Sequence, residues 1–197
     1  MIPAPRDTRA AAHLGGVDAH AGPDPATGWA LAARDGDPVA QSAFVRATQA
    51  EVWRFTAALL DPDSADDLTQ ETYLRAFRAL PAFEGRSSAR TWLLGIARRA
   101  CADHLRTVVR RRRLDQRLTA HAHTDRSHPD PAGQLGTADL VSRLPAERRG
   151  AFVLTQLLGL SYAEAATVEG VPVGTIRSRV ARARAELVDA VGEALAG

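Results

Sequence analysis

The sequence predicts an all-α protein with two small helical domains joined by a flexible linker, the C-terminal one a helix-turn-helix. Apolar residues recur at helical spacing from Trp29 to about Arg117, and again over residues 138–193. No run of alternating β-branched residues, which would predict a strand, occurs along the chain. Between the two helical segments, residues 129–136 contain two prolines and two glycines, which predicts a linker.

Composition also places the domain boundaries. Residues 1–26 contain four prolines and three glycines without any helical period, so we expect a disordered tail. The first domain is then predicted over residues 27–117, the linker over 118–136 and the second domain over 137–197.

Charge and cysteine content narrow the function classes. The formal net charge is only +2, yet all 25 basic residues are arginines. Arginine suits phosphate and guanine, although a GC-rich genome would also favour its codons. The single cysteine, Cys101, excludes an intramolecular disulfide and any multi-cysteine zinc site, and we expect it to be buried. The sequence has neither a membrane-spanning apolar run nor a signal peptide, which predicts a cytoplasmic protein.

The C-terminal domain carries the clearest local signals. A helix that opens near Pro145 should end at Gly159, with an inner stripe of Ala151, Leu154 and Leu158. Ser161 and Glu164 have the spacing of a capping box at the start of a short helix. Gly170 marks a tight turn before another helix, so the segment predicts a helix-turn-helix.

The last of these helices, predicted from Ile176 to about Val191, separates into two faces. The buried face should hold Ile176, Val180, Ala183 and Leu187. The opposite face holds Arg177, Ser178, Ala181 and Arg182, flanked by Thr175, Arg179 and Arg184. Residues 177–184 include four arginines and no acid, which indicates major-groove readout, although a solvated arginine face is the plainer alternative.

In the N-terminal domain, residues 63–80 predict a helix with Ser64 as its N-cap. Its inner face should hold Leu68, Ala76 and Leu80, with Tyr73 and Phe77 flanking. Its outer face should present Asp67, Gln70, Glu71 and Leu74. Residues 61–71 contain five acids and no base, which fits a basic protein partner. Stabilisation of the helix dipole is the alternative explanation of these acids.

The charge reverses over residues 86–117, which contain ten arginines and two aspartates. A core stripe is predicted at Leu93, Ile96, Ala97, Ala100, His104 and Leu105, which leaves Arg98, Ala102 and Arg106 outside. Trp92 could stack on an unpaired base or pack in the core. Residues 110–113, four consecutive arginines, fit phosphate contacts or a solvated helix end.

Three segments together indicate a family. Residues 66–74 read DDLTQETYL, residues 90–98 read RTWLLGIAR and residues 172–179 read PVGTIRSR. In this order and spacing they resemble the extracytoplasmic-function (ECF) sigma factors of bacterial RNA polymerase, with the sigma factor C type as the nearest subgroup. The resemblance covers about residues 27–193, and it departs from the common pattern at Ala89 and Arg99.

The resemblance implies three interfaces. The clamp helices of the polymerase β′ subunit would be bound by Asp67, Gln70, Glu71 and Leu74. The −10 element of promoter DNA would be bound by Arg86, Ser87, Ser88, Arg90, Trp92, Arg98 and Arg106. The −35 element would be bound by Thr175, Arg177, Ser178, Arg179, Ala181, Arg182 and Arg184. The second domain would also dock on the β-flap, and the linker would thread towards the polymerase active-site and RNA-exit channels. An anti-sigma factor is a further partner that the sequence leaves open.

Other classes fit the sequence less well. A response regulator would need a sensory α/β domain, and the first half of the chain lacks the strands. An adaptor that does not bind DNA would account for the N-terminal half only. The sequence has no glycine-rich phosphate loop, no metal-ligand spacing and no pair of catalytic carboxylates within a supporting motif. We therefore predict that the protein is not an enzyme. The three histidines of the linker, His121, His123 and His128, have no nearby cysteine, and we expect neither a metal nor a cofactor.

Overall fold

The computed structural model describes residues 24–60, 62–118 and 137–196. The predicted tail, apart from its last three residues, and the predicted linker from residue 119 onward lie outside these ranges. Within them, helices are the only regular secondary structure, so the all-α prediction is confirmed for the described part of the chain. The first domain comprises α1 (Pro25–Arg34), α2 (Pro38–Leu59), α3 (Pro62–Ala79) and α4 (Ala89–Leu118), with a 3-10 turn at Leu80–Ala82.

Helix α1 begins earlier than the sequence predicted, because the end of the proline-rich segment is a helix start. The side chain of Asp24 accepts a hydrogen bond from the amide of Ala26, and Pro25 occupies the first helical position. Proline is favoured there because the missing N–H would have no partner within the helix. Residues 25 and 26, which the sequence placed in the tail, are therefore helical.

Aromatic side chains fill the centre of this domain. Phe44 and Phe55 are fully buried, and the ring of Phe44 meets that of Tyr73 edge-on at a centroid distance of 6.4 Å. The Tyr73 hydroxyl lies 2.7 Å from the Thr48 hydroxyl, so the buried polar atoms satisfy each other. Burial raises the pKa of Tyr73 to about 12, which keeps the phenol neutral.

Helix α3 presents the predicted inner face but has a different start. Leu68, Ala76 and Leu80 are buried as expected. Ser64 lies inside the helix, two residues beyond its first residue Pro62, so its predicted role as the N-cap is wrong. The sequence signal for a cap was outweighed by proline, which suits the first turn of a helix.

Helix α4 is buried on two faces in its first half. Leu93, Ile96, Ala97 and Ala100 are buried as predicted, and Leu94 and Cys101, on the neighbouring side of the helix, are buried as well. Burial raises the pKa of the Cys101 thiol to about 11. His104 is half-buried, and Leu105 is 38% exposed. The core stripe therefore ends one turn earlier than predicted, because α4 extends past the elements that cover it.

The second domain comprises α5 (Thr137–Arg143), α6 (Ala146–Phe152), a π-helical turn at Val153–Leu157, α7 (Tyr162–Glu169) and α8 (Val173–Ala196). Its core contains the predicted Ala151, Leu154, Leu158, Ile176, Val180 and Ala183, whereas Leu187 is only half-buried. Helix α8 continues five residues past the predicted end at Val191. None of the described helices is long and apolar enough to cross a lipid bilayer.

The predicted capping box opens α7. The amide of Glu164 donates to the Ser161 hydroxyl at 3.2 Å, and the Glu164 carboxylate accepts from the Ser161 amide at 2.9 Å. Burial raises the pKa of Glu164, but the hydrogen bonds from Ser161, the charge of Arg90 and a hydrogen bond from Thr91 together outweigh it and lower the pKa. At the other end of α7, Gly170 has φ +68°, the left-handed conformation that a tight turn requires.

We predict that Ser161→Ala lowers the free energy of unfolding by about 1 kcal/mol, the usual cost of a lost N-cap. Because folding lowers the pKa of Glu164, this stabilisation is present at neutral pH and is lost as the pH falls through the pKa of folded Glu164. Chemical denaturation at several pH values measures both effects. Thr167→Ala, in the same helix, is the control, and equal stability of the two variants would contradict the prediction.

Candidate protein and nucleic-acid interfaces

The predicted acidic face on α3 is present at the surface. Asp67 and Gln70 are exposed, Leu74 is 54% exposed, and Glu71 is half-buried. The Glu71 carboxylate accepts a hydrogen bond from Arg75 at 2.7 Å. The four residues follow one another at helical spacing, so they form a continuous polar surface with one apolar member.

Arg75 joins this surface to α4. Its guanidinium also donates to Asp103 at 2.6 Å, and Asp103 in turn pairs with Arg106. Hydrogen bonds from Arg75, and then from Arg106, lower the pKa of Asp103. Arg106, a predicted −10 residue, is thus exposed but already paired with a carboxylate.

A residue that the sequence analysis missed extends the acidic face. Trp53 is 41% exposed, and its indole Nε1–H donates to Asp66 at 2.8 Å. Together with Gln49 and Gln70 it lines a shallow groove between α2 and α3. The available signal was periodicity, since Trp53 follows the core residue Val52 and falls outside the buried stripe of α2.

The predicted groove face of α8 is exposed at its centre. Arg177, Ser178, Ala181 and Arg182 are all exposed, and Thr175 is half-buried beside them. Small side chains at 178 and 181 allow a close approach of the helix backbone to a partner. One flanking residue, Arg184, is exposed and donates to Gln156 at 2.6 Å.

The loop before α4 holds three further predicted residues. Arg86 is exposed and pairs with Glu84 at 3.3 Å, and Ser87 is half-buried. Ser88 precedes the first residue of α4 and accepts a hydrogen bond from the Thr91 amide at 3.1 Å, which makes it the helix N-cap. The Ser88 hydroxyl therefore caps α4, whether or not it also contacts DNA.

Arg90 and Trp92 lie at the start of α4, where the two domains meet. Arg90 donates to both carboxylate oxygens of Glu51, at 2.6 and 2.8 Å, and also to the backbone carbonyl of Leu158 in the second domain. Trp92 is half-buried, and its ring contacts Phe83 at a centroid distance of 4.8 Å. Of the two alternatives for Trp92, packing in the core is the one that this structure has.

The second buried face of α4 packs against α7, the first helix of the helix-turn-helix. Arg98 on this face donates to Glu169 at 2.9 Å. The other oxygen of Glu169 lies 3.5 Å from Arg179, which also donates to Glu147 at 2.7 Å. One carboxylate therefore engages an arginine of each predicted DNA-binding surface, and the Arg179 side chain is only 17% exposed.

The Glu169 carboxylate packs closely against Gly150 of α6. The Glu169 side chain is 1% exposed, and a Cβ atom on Gly150 would lie 2.6 Å from its Oε1 atom. The same Cβ would lie 3.7 Å from Leu59 of the first domain. The adjacent Arg149 donates to the Leu59 carbonyl at 3.3 Å, so α6 rests on the end of α2.

Among the described residues, no group of three or more histidine, cysteine or acidic side chains is placed so that it could hold a metal ion. The linker histidines lie outside these residues. Ala89, one of the two departures from the family pattern, is completely buried at the first position of α4. Arg99, the other departure, is exposed.

Comparisons with known proteins match both domains. Residues 44–113 match the model of sigma-70 region 2, and residues 137–187 match that of sigma-70 region 4. The chain is 53% identical to the probable RNA polymerase sigma-C factor of Mycobacterium bovis over 178 residues, which cover 87% of this chain and 94% of the relative. It is 38% identical to the RNA polymerase sigma-H factor of Pseudomonas aeruginosa, over 66% of this chain and 73% of the relative.

Solved structures show the same fold. The sigma factor RpoE of Bartonella quintana, solved with the anti-sigma factor NepR, has a TM-score of 0.59 and 28% identity over 75% of this chain and 94% of that chain. CnrH, solved with the cytosolic domain of CnrY, has a TM-score of 0.65 and 23% identity over 86% and 99%. With matches to regions 2 and 4 and high identity over most of its length, the chain belongs to the ECF sigma factors, which bind core RNA polymerase and direct promoter-specific initiation of transcription.

Proposed function

We propose that this sigma factor divides its task between helices of opposite charge. In this proposal, residues 27–117 bind core polymerase and the −10 element, residues 137–197 bind the −35 element, and residues 118–136 connect them. The main support for this proposal is that the outer face of α3 exposes acidic residues, whereas the outer face of α8 exposes arginines. The protein acts in the cytoplasm as a specificity factor and performs no catalysis of its own. Run-off transcription with core polymerase on a genomic library, read by sequencing, tests it directly.

The polymerase site of the proposal is the outer face of α3. Asp67 and Glu71 would meet basic residues of the β′ clamp helices, and Gln70 would add hydrogen bonds. Leu74 and Trp53 supply exposed apolar area at two edges of this face. A surface of this composition repels DNA phosphates, which favours a protein partner.

The −35 site of the proposal is the exposed face of α8. Arg177 and Arg182 project from it beside small residues, as a helix that enters the major groove requires. Arg184 and Thr175 would contact the edges of the site. Arg179 would join it only after leaving its ion pairs with Glu147 and Glu169, so we assign it a conditional role.

The −10 site of the proposal includes residues that the second domain covers in this arrangement. Arg90 and Arg98 each have a partner in that domain, the Leu158 carbonyl and the Glu169 carboxylate. DNA phosphates would have to replace these partners. Full engagement of the −10 element by both arginines therefore requires the two domains to separate.

We predict that Asp67→Arg prevents co-elution with core polymerase while the variant keeps its helical circular dichroism. A positive charge against a basic groove costs several kcal/mol in binding. Glu193→Arg makes the same charge change on the exposed end of α8 and serves as the control. If the acids serve only the helix dipole, Asp67→Arg will instead lower the melting temperature and leave polymerase binding at the wild-type level.

We predict that Arg177→Ala or Arg182→Ala weakens −35 binding by about 1–3 kcal/mol and relaxes the preference at one base pair. Holoenzyme binding to promoters with single substitutions in the −35 element measures this. Arg143→Ala removes an arginine elsewhere in the same domain and should leave the selectivity unchanged. Unaltered selectivity in both α8 variants would contradict the assignment of this face.

We predict that Glu169→Gln separates the domains in the free protein. The substitution removes the charge that Arg98 and Arg179 share, and hydrogen bonds to charged groups contribute about 1.5–3 kcal/mol. Small-angle scattering should show a larger radius of gyration, and binding to −35 duplex DNA should tighten. Glu147→Gln, which removes a charge that pairs with Arg179 within the second domain, should leave the radius unchanged, and a compact Glu169→Gln protein would disprove the prediction.

A further inference from the structure

Helix α1 lies beside the loop at residues 83–88, and three of its residues meet this loop or Ala89, the residue that follows it. Thr27, Leu31 and Arg34 follow at i, i+4 and i+7, so they share one face of the helix. The contacts occur at the beginning, the middle and the end of the loop. Such an arrangement holds a loop in one conformation more firmly than a single contact would.

The beginning of the loop is held by Arg34. Its guanidinium donates to the backbone carbonyl of Phe83 at 3.2 Å. Phe83 is 4% exposed and its ring lies against Trp92, so the hydrogen bond and the ring contact act on the same residue. A second nitrogen of Arg34 donates to Asp35 at 2.8 Å, which orients the guanidinium.

The end of the loop is held by Thr27. The amide of Ala89, the first residue of α4, donates to the Thr27 hydroxyl at 2.8 Å. That hydroxyl lies 3.2 Å from the Asp24 carboxylate and donates to it, so both of its capacities are used. The first amides of a helix have no partner within the helix, and Thr27 supplies one from another element.

The middle of the loop is packed against Leu31. Gly85 has φ +71°, and a Cβ atom there would lie 3.8 Å from both methyl groups of Leu31. Between these fixed points, Arg86 is exposed and Ser87 is half-buried. The loop therefore presents its polar side chains outward from a backbone that α1 holds in place.

We propose that α1 positions the 83–88 loop for capture of the −10 element, with Thr27 and Arg34 as positioning residues that do not touch DNA themselves. This inference rests on the proposed −10 role of the loop. A preformed loop binds an unpaired strand without the entropic cost of ordering its own backbone. Loss of either hydrogen bond therefore weakens the discrimination between −10 sequences.

The test compares Thr27→Val, which keeps the shape but removes the hydroxyl, with Thr27→Ser, which retains the hydroxyl. Holoenzyme made with each variant is bound to fork-junction DNA that carries either the cognate or a scrambled single-stranded −10 segment. The ratio of the two affinities is the −10 selectivity. We expect Thr27→Val to reduce this ratio about tenfold, because the Ala89 amide loses its partner. Thr27→Ser should keep the wild-type ratio, and Arg34→Leu should behave like Thr27→Val.

A role in folding alone would lower the melting temperature and weaken both DNA complexes equally, which would leave the ratio unchanged and overturn the proposal. Core polymerase affinity, measured in parallel, should not change in any variant. Arg86→Ala distinguishes DNA binding by the loop from the positioning of the loop by α1. If Arg86→Ala alters the selectivity and Thr27→Val does not, the loop binds DNA but α1 does not position it. If Arg86→Ala and Ser87→Ala both have no effect, the −10 assignment of the loop itself is wrong.

Discussion

The buried carboxylate of Glu169 is the interaction on which the relation of the two domains depends. Its two oxygens face Arg98 of the first domain and Arg179 of α8, and its side chain is almost completely removed from water. Burial of an unpaired charge is very costly, so Glu169 requires at least one of these arginines wherever it stays covered. Gly150 leaves room for the carboxylate in this position, because a Cβ atom there would lie 2.6 Å from its Oε1 atom and force it to shift.

This arrangement couples the two predicted DNA-binding surfaces. Arg98 and Arg179 each pair with one oxygen of the same carboxylate, and each is also suited to a phosphate. A phosphate that recruited Arg98 would leave Glu169 paired with Arg179 only, and the contact between α4 and α7 would lose this ion pair. The proposed binding of DNA by Arg98 would therefore be linked to separation of the domains through Glu169, and a linkage of this kind acts in both directions.

The first domain, by comparison, is organised around α4. Its inner face completes the aromatic and aliphatic core, its second face meets α7, and its beginning is held by α1 through Thr27. Two covered faces explain why the segment can be rich in arginine and still be a core helix. Three of its arginines, Arg90, Arg98 and Arg106, pair with Glu51, Glu169 and Asp103 respectively.

Local signals in the sequence determined most of the elements. The capping box at Ser161, the turn at Gly170 and the inner faces of α3 and α8 follow from contacts within a few residues, and the structure has them where periodicity placed them. The exposed faces were predictable for the same reason, because a helix that buries one side must present the other. Family resemblance then assigned partners to those faces.

Only the tertiary structure decided which arginines are already engaged. Leu94 and Cys101 are buried on the side of α4 where Arg98 meets Glu169 of α7, whereas Leu105, one turn beyond Cys101, is 38% exposed. Glu169 pairs with Arg98, which is 71 positions away along the chain. Thr27 accepts a hydrogen bond from the first residue of α4, which is 62 positions away. Helical periodicity shows which side chains share a face, but the partner of that face depends on how distant helices pack, and no local pattern encodes it.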